Sequence, residues 1–358
     1  FSAAAALWEE PQAAAAETQN AKPAPVPGRV GYRVLGKTGL KVSEVGFGVW
    51  SVSTVPRRSV DERESMALLH LALDLGITFF DTSDAYGDGY GEDVLARALG
   101  EHRPHTVIGT KFGYDLHPPA GSQVDTGLAQ DFSPSFVRRA CEQSLRRLKT
   151  DYIDLYQLHN PPLSAIQDDD LFETLETLIK EGKVRYYGAA LGPDAGWLEE
   201  EGDAPLRRAN LSSLQVSYSI LEQDLARKLL PLAEVQGMGL LSRSPHALGI
   251  LDGTYDRGTI PPLTDHPGPG GQEWLESSLR KVTRLAFLTR DTEATMGQIA
   301  LKFCLALRPV ASVLPDICRP EQLRELAAAS ETPDLDPQVL ERLTELYDHD
   351  FQVEETRE

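Results

Sequence analysis

Four polar residues sit where short apolar runs end. Asp81 lies in FFDTSDAYGDGYGE with Tyr86 five positions on, Lys111 closes VIGTK, and His159 closes DYIDLYQLH. A tyrosine with an ordinary pKa near ~10 is a weak acid at neutral pH. An adjacent ammonium favours the phenolate and lowers that pKa, so Lys111 beside Tyr86 would make a proton donor. A lysine enclosed at such a place needs a counter-charge, which Asp81 can supply. His159 could orient a carbonyl or help to pass the proton. The four together suit protonation of a carbonyl oxygen while hydride arrives from elsewhere. No side chain donates hydride, so the set calls for a nicotinamide cofactor. Singly, each residue also has a structural reading: Asp81 as a cap, Tyr86 as loop packing, Lys111 as a snorkelling chain, His159 as a loop tether. Asp84 is expected to cap its own loop.

Such residues need elements that bring them to one place. The runs VSEVGFGVW, GITFFDT, HTVIGTK, DYIDLYQLH, KVRYYGAA, LSSLQVSYS, MGLLSR and PVASVLP each read as a strand. They are continuous rather than alternating, which fits a parallel sheet buried on both faces. Helices lie between them. Ser133 and Pro134 form a cap and first-turn proline, after which Val137, Cys141, Leu145 and Leu148 share one face. A second helix runs through Leu171, Leu175 and Leu178 to a stop at Gly182, and a third from Leu225 to Val235 with its stop at Gly237. Eight strands separated by helices predict an α/β fold, a (β/α)8 TIM barrel over residues 29–350, with long loops at its C-terminal face. An open doubly wound sheet is the alternative, but no G-x-G-x-x-G follows the first strand. Residues 113–132 and 249–293 are too long for simple connections and are expected to shape the mouth.

Composition narrows the function classes. The 358 residues are 41% hydrophobic and 25% charged, enough for a substantial core. A formal charge of −19 would repel phosphate backbones and anionic membrane surfaces, so neither nucleic acid nor a membrane is an expected partner. No stretch approaches the ~20 apolar residues of a membrane span. Cys141, Cys304 and Cys318 follow no metal spacing and read mainly as free thiols. The Ala- and Pro-rich residues 1–28 read as a disordered tail outside the fold, or as the remnant of an export signal, since Ala14-Ala15-Ala16 resembles a cleavage site. A cytoplasmic location is expected, with export as the alternative. His102 and His105 read as surface loop, and no metal site is expected. A metal-dependent barrel hydrolase would need His-x-His after the first strand, where VGFGVWS has none.

From YRVLGKTGLKVSEVGFG at residue 32 to about residue 330 the chain resembles the aldo-keto reductase family. FFDTSDAYGDGYGE is similar to the family's first signature, VIGTKFG carries its lysine, and DYIDLYQLHNPP its histidine. EGKVRYYGAALG, LQVSYSIL, LLSRSPHALGIL and SVLPDICRPEQLREL follow in family order. The resemblance implies an NAD(P)H-dependent oxidoreductase reducing an aldehyde or ketone, or oxidising an alcohol or sugar hydroxyl. It implies Tyr86 as proton donor, Lys111 as the group lowering its pKa, Asp81 as partner of Lys111, and His159 as the residue orienting substrate. It places Val49, Trp50, Asp81, Gln215, Arg243, Ser244, Pro245, Ala247, Gln322 and Glu325 around the cofactor. It places Trp50, Tyr86, Phe112 and His159 around a small carbonyl or alcohol substrate.

Two departures stand out. The family's Ser-Asn pair after the fifth strand is Ala190-Leu191 here, which removes side-chain bonds to the nicotinamide carboxamide. Asp316 stands near the expected 2′-phosphate of NADP(H), which a carboxylate repels, although Arg319 and Arg324 could compensate. NADP(H) is the expected cofactor and NAD(H) the alternative. A nucleotide-sensing regulatory subunit built on the same barrel is the alternative function. Nothing in the sequence fixes the substrate or the oligomeric state.

Overall fold

The computed structural model describes residues 30–53, 61–117, 129–192, 196–254 and 271–353. The expected tail, residues 1–28, lies outside the described residues.

Each apolar run becomes a parallel strand of one sheet: β1 Phe47–Gly48, β2 Phe79–Asp81, β3 Val107–Phe112, β4 Ile153–His159, β5 Val184–Ala190, β6 Ser213–Ser217, β7 Gly239–Arg243 and β8 Val310–Leu314. Every strand neighbours the next in sequence. The first and last also meet, because Val45 bridges Val313, the Gly46 amide donates to the Val313 carbonyl at 2.9 Å, and the Val313 amide donates to Glu44 at 2.8 Å. The sheet therefore closes on itself, as eight parallel strands alternating with helices do in a barrel. This is the (β/α)8 barrel the strand pattern predicts.

The first run is divided rather than continuous. Lys41–Ser43 leaves the barrel and pairs antiparallel with Tyr32–Val34, forming a hairpin beneath it. Ser43 fixes the bend, its hydroxyl donating to Val45 O at 2.7 Å and accepting from the amides of Thr78 and Phe79. Gly46 has no room for a side chain there, since a Cβ would lie 2.8 Å from Leu314 and 2.9 Å from Phe79.

The barrel interior changes character from floor to mouth. Inward residues recur every second position, and along β2 they run Phe79 then Asp81. Along β3 they run Val107, Gly109, Lys111, and along β4 Leu155, Gln157, His159. The lower members join Leu35, Leu40 and Val42 of the hairpin in one buried apolar cluster. The upper members are polar and almost as buried, Lys111 being only 1% exposed. Burying an ammonium so deeply is strongly unfavourable unless it is paired, so this layer must carry its own partners.

Helices wrap the outside. The one over Pro134–Leu148 begins at Ser133, whose hydroxyl accepts from Phe136 N, and buries Val137, Cys141, Leu145 and Leu148 as expected. Asp168 caps Asp169–Lys180, and Asp224–Gln236 ends at Gly237 in the left-handed conformation, φ 65°. The two long connections carry structure of their own: the first a short hairpin of Tyr114–Asp115 with Ala129–Gln130, the second a helix over Gly271–Thr283. No described helix is long and apolar enough to cross a membrane. Cys141 and Cys304 are buried free thiols and Cys318 is exposed.

Candidate active site

Asp81, Tyr86, Lys111 and His159 converge at the mouth. Lys111 Nζ donates to Asp81 Oδ2, to the Thr82 carbonyl at 2.9 Å and to Tyr86 Oη at 3.0 Å. All three donors of the ammonium are thereby used. Asp81 Oδ1 in turn accepts from Gln157 Nε2 at 3.0 Å and Gln215 Nε2 at 2.8 Å. The buried carboxylate thus meets one cation and two amides, which lets a charged pair persist out of water.

Local backbone places Tyr86. The segment after β2 turns back on itself, and Gly87 follows with φ +60°, in the left-handed region that favours glycine. A Cβ there would meet the Ser53 carbonyl at 2.6 Å, so glycine lets this loop pack against the short helix Trp50–Ser53. The Tyr86 ring meets Trp50 edge-on at 5.1 Å and His159 at 5.9 Å, and Tyr114 also meets His159 edge-on, at 4.8 Å. Trp50 itself is 47% exposed, an unusual exposure for so large an aromatic beside a polar mouth.

The electrostatics differ in one respect from the sequence expectation. Burial pushes the Tyr86 hydroxyl above its ordinary value, and Lys111 only offsets part of that rise. Tyr86 therefore stays protonated, a donor rather than a base. Burial works to lower the pKa of Lys111, but Asp81 and Tyr86 outweigh it and hold the ammonium charged. Burial, together with the positive charges of Lys111 and Arg243, holds His159 well below its ordinary range, so its imidazole is neutral.

Two further groups stand behind the site, and the sequence reading assigned neither of them this role. The Ser83 hydroxyl lies 3.2 Å from His159 Nδ1 and 3.2 Å from Asp84 Oδ1. Burial pushes Asp84 up to about 7, with Glu92 adding to the rise and Ser83 and Arg147 opposing it. Gln157 was legible in principle, since it precedes His159 by two residues on β4 and so shares its face.

Around this centre the expected cofactor residues are distributed unevenly. Arg243 donates to Ser217 Oγ at 3.1 Å and to the Leu191 carbonyl at 2.5 Å, and its charge reaches Tyr86 and His159. Ser244 and Ala247 are both held at positive φ, 48° and 50°, flanking the buried Pro245. Such non-glycine conformations are sparsely populated and cluster at ligand clamps. Val49 is buried, its amide donating to Asp81 O at 2.8 Å. Gln215 points its amide nitrogen at Asp81. Gln322 bridges Cys318 N and Asp252, and Glu325 accepts from Thr295 Oγ1 at 2.6 Å, so both already hold neighbouring elements together. Ala190 and Leu191 are buried without polar side chains, and their backbone is engaged: Ala190 O accepts from Asn160 N at 2.8 Å, and Leu191 N donates to Gln215 O at 2.9 Å.

Phe112 is not brought to the mouth. It follows Lys111 directly, so the strand's alternation turns it outward into the helix layer. There it is fully buried, stacked on Tyr156 at 4.3 Å and edge-on to Phe132 at 6.0 Å. Phe112→Ala should accordingly destabilise the fold by about 3–5 kcal/mol, read from urea denaturation, with substrate KM little changed. His102 and His105 lie exposed in a turn of helix ahead of β3. Among the described residues no three metal-ligating side chains gather.

The barrel is matched by comparison with known proteins. Residues 44–348 match the model of the aldo/keto reductase family, and the chain belongs to that family. It is 32% identical over 302 residues to the uncharacterized oxidoreductase YqkF of Bacillus subtilis (strain 168), covering 82% of this chain and 89% of that one. It is 28% identical to a probable voltage-gated potassium channel subunit beta of Arabidopsis thaliana, covering 88% of this chain and 96% of the other. Among solved structures, aldo-keto reductase AKR11C1 from Bacillus halodurans in its holo form superposes with a TM-score of 0.70 at 30% identity, covering 88% of this chain and 96% of that one. The protein is thus an oxidoreductase of a family that acts on small carbonyl compounds with nicotinamide cofactors.

Proposed function

We propose that the protein interconverts an aldehyde or ketone and the corresponding alcohol, with Tyr86 protonating the carbonyl oxygen and NADP(H) as the favoured cofactor. The observation that carries this reading is the buried Lys111 ammonium bonded at once to Asp81 and to Tyr86 Oη, 3.0 Å away. A hydroxyl so held, protonated and beside a neutral imidazole, suits donation to an oxygen that gains negative charge. The residues present fit a nicotinamide nucleotide: an exposed Trp50 next to Tyr86, the cation of Arg243, and the clamp-like segment Ser244 to Ala247. When bound, the cofactor supplies the hydride that no side chain can. Trp50, Tyr86 and His159 then bound the substrate. Tyr86 delivers the proton, Lys111 and Asp81 hold Tyr86 in place, and His159 fixes the carbonyl oxygen toward it.

The cofactor is chosen by opposing charges near Asp316. Its carboxylate disfavours a 2′-phosphate, and the exposed Arg319 and Arg324 favour one. Fluorescence titration of the protein with NADPH and, separately, NADH tests this. Tighter NADPH binding is expected, by about tenfold if a single arginine–phosphate contact decides the preference. Tighter NADH binding would make Asp316 the selector and turn the assignment toward alcohol or sugar oxidation. Binding of neither would overturn the enzymatic reading.

A second reading, a nucleotide-sensing regulatory subunit, draws on the likeness to the potassium channel subunit beta of Arabidopsis thaliana. The intact set of Asp81, Tyr86, Lys111 and His159 favours the enzyme.

A further inference from the structure

Behind His159 lies a chain of three groups whose hydrogen bonds must be shared. Ser83 Oγ accepts from Ala85 N at 3.1 Å, which occupies one of its two lone pairs. One proton and one lone pair remain for two neighbours, Asp84 Oδ1 and His159 Nδ1, each at 3.2 Å. An ionised carboxylate can only accept, so it takes the Ser83 proton, and Nδ1 must then carry hydrogen and donate to Ser83. A protonated Asp84 can donate to Ser83, whose own proton then turns to Nδ1, leaving hydrogen on Nε2. Among the described residues, Nε2 has no hydrogen-bond partner of its own.

We propose that Asp84, acting through Ser83, sets which nitrogen of His159 carries hydrogen, and so whether the mouth presents a donor or an acceptor to the substrate oxygen. Asp84 and Ser83 are positioning residues in this scheme. When Asp84 gives up its proton, that proton passes to Ser83 Oγ, the Ser83 proton passes to Nδ1, and the Nε2 proton leaves through the mouth. One proton is released in all and no other group changes charge. The donor form suits a carbonyl awaiting reduction, and the acceptor form suits an alcohol hydroxyl awaiting oxidation. The equilibrium between direction-specific forms rests on the function proposed above.

The surroundings place the change in an accessible range. Glu92, from the helix Tyr90–Leu99, raises Asp84, and Arg147, from Pro134–Leu148, lowers it, with burial the largest influence, bringing it to about 7. Tyr156 on β4 feels the charge of Asp84, and its hydroxyl makes no hydrogen bond among the described residues. From the mouth side Lys111, Arg243, Tyr86 and Tyr114 face His159, and burial, reinforced by the two cations, keeps it neutral, so its tautomer and not its charge responds.

The test is nitrogen NMR of the full chain labelled with 15N-histidine, with His159→Gln identifying the resonances. Spectra at about pH 6 and about pH 8.5 bracket the Asp84 transition. The proposal expects hydrogen on Nε2 at the lower pH and on Nδ1 at the higher, with no interconversion in Asp84→Asn or Ser83→Ala. Ser83→Thr, which keeps the hydroxyl, should restore it. A single tautomer at both pH values in the unsubstituted protein would overturn the proposal, as would an unchanged switch in Ser83→Ala. The measurement needs no turnover. A switching imidazole in an inactive protein would therefore count against the proposed function alone, and a fixed one in an active enzyme against this inference alone.

Discussion

Tyr86→Phe is expected to lower turnover by about 10²- to 10⁴-fold, the usual contribution of a positioned general acid. Cofactor affinity should stay within about twofold of the unsubstituted protein, because in the proposed role the oxygen removed acts in the transition state rather than in cofactor binding. The ring itself is held by Trp50 and His159, whose edge-on contacts at 5.1 and 5.9 Å do not involve the hydroxyl. Lys111 would lose one of three acceptors and keep Asp81 and the Thr82 carbonyl. The two readouts are steady-state consumption of the reduced cofactor with an aldehyde panel and a fluorescence titration. Because burial pushes Tyr86 above its ordinary value, the donor form persists as pH rises through neutrality. Loss of reductive activity near neutral pH therefore cannot come from Tyr86 ionising. Turnover close to that of the unsubstituted protein would remove Tyr86 from the chemistry.

Lys111→Met should cost both activity and stability. It leaves Asp81, 4% exposed, with two amides and no cation, and breaking a buried pair in this way costs about 3–5 kcal/mol. The pH dependence follows from the sign of the surviving group's interaction. A buried carboxylate without its cation is favoured when it takes up a proton, so the variant is least unstable in acid and loses stability as pH rises. In the unsubstituted protein the pair acts differently: Lys111 is held above its ordinary value, so its contribution is present through neutrality and is lost only as pH climbs beyond that range. Urea denaturation at about pH 5 and about pH 8 separates the two behaviours. Asp81→Asn in the same chain should recover a large part of the loss, since the uncompensated charge goes with it. Equal penalties at both pH values, or no recovery in the double variant, would show that the pair is not the main support of the mouth.

Much of the fold and the site is legible in the sequence, for a physical reason. Parallel strands buried on both faces read as unbroken apolar runs, so polar residues at their ends are conspicuous, and Asp81, Lys111 and His159 stand at three such ends. What the runs conceal is phase. Lys111 and Phe112 are adjacent, and only alternation separates a mouth residue from one packed against Tyr156. The same alternation, applied to His159, would have drawn Gln157 into the site. Sequence proximity also misleads about energies. It shows that Lys111 can favour the Tyr86 phenolate but not that burial acts more strongly in the opposite direction. Gln322 and Glu325 are engaged by Asp252 and Thr295, residues on other elements that no local pattern connects to them. The division of the first strand is of the same kind. Whether an apolar run continues or bends is decided by Ser43 reaching Thr78 and Phe79, far along the chain.

The hairpin beneath the barrel also fixes where the chain enters the fold. Arg33 is anchored to the carbonyls of Leu305 and Val310 at 2.7 and 3.1 Å, Lys37 N reaches Gly237 O at 2.7 Å, and Tyr186 Oη donates to Thr38 O at 2.6 Å. Val310 opens β8 and Gly237 precedes β7, so these anchors lie at the strand beginnings, the end opposite Tyr86 and His159. Val30 and the hairpin it leads into therefore lie on the underside, away from the mouth. A bead or an electrode coupled to the exposed Lys37 of this hairpin would carry the protein with its mouth turned outward.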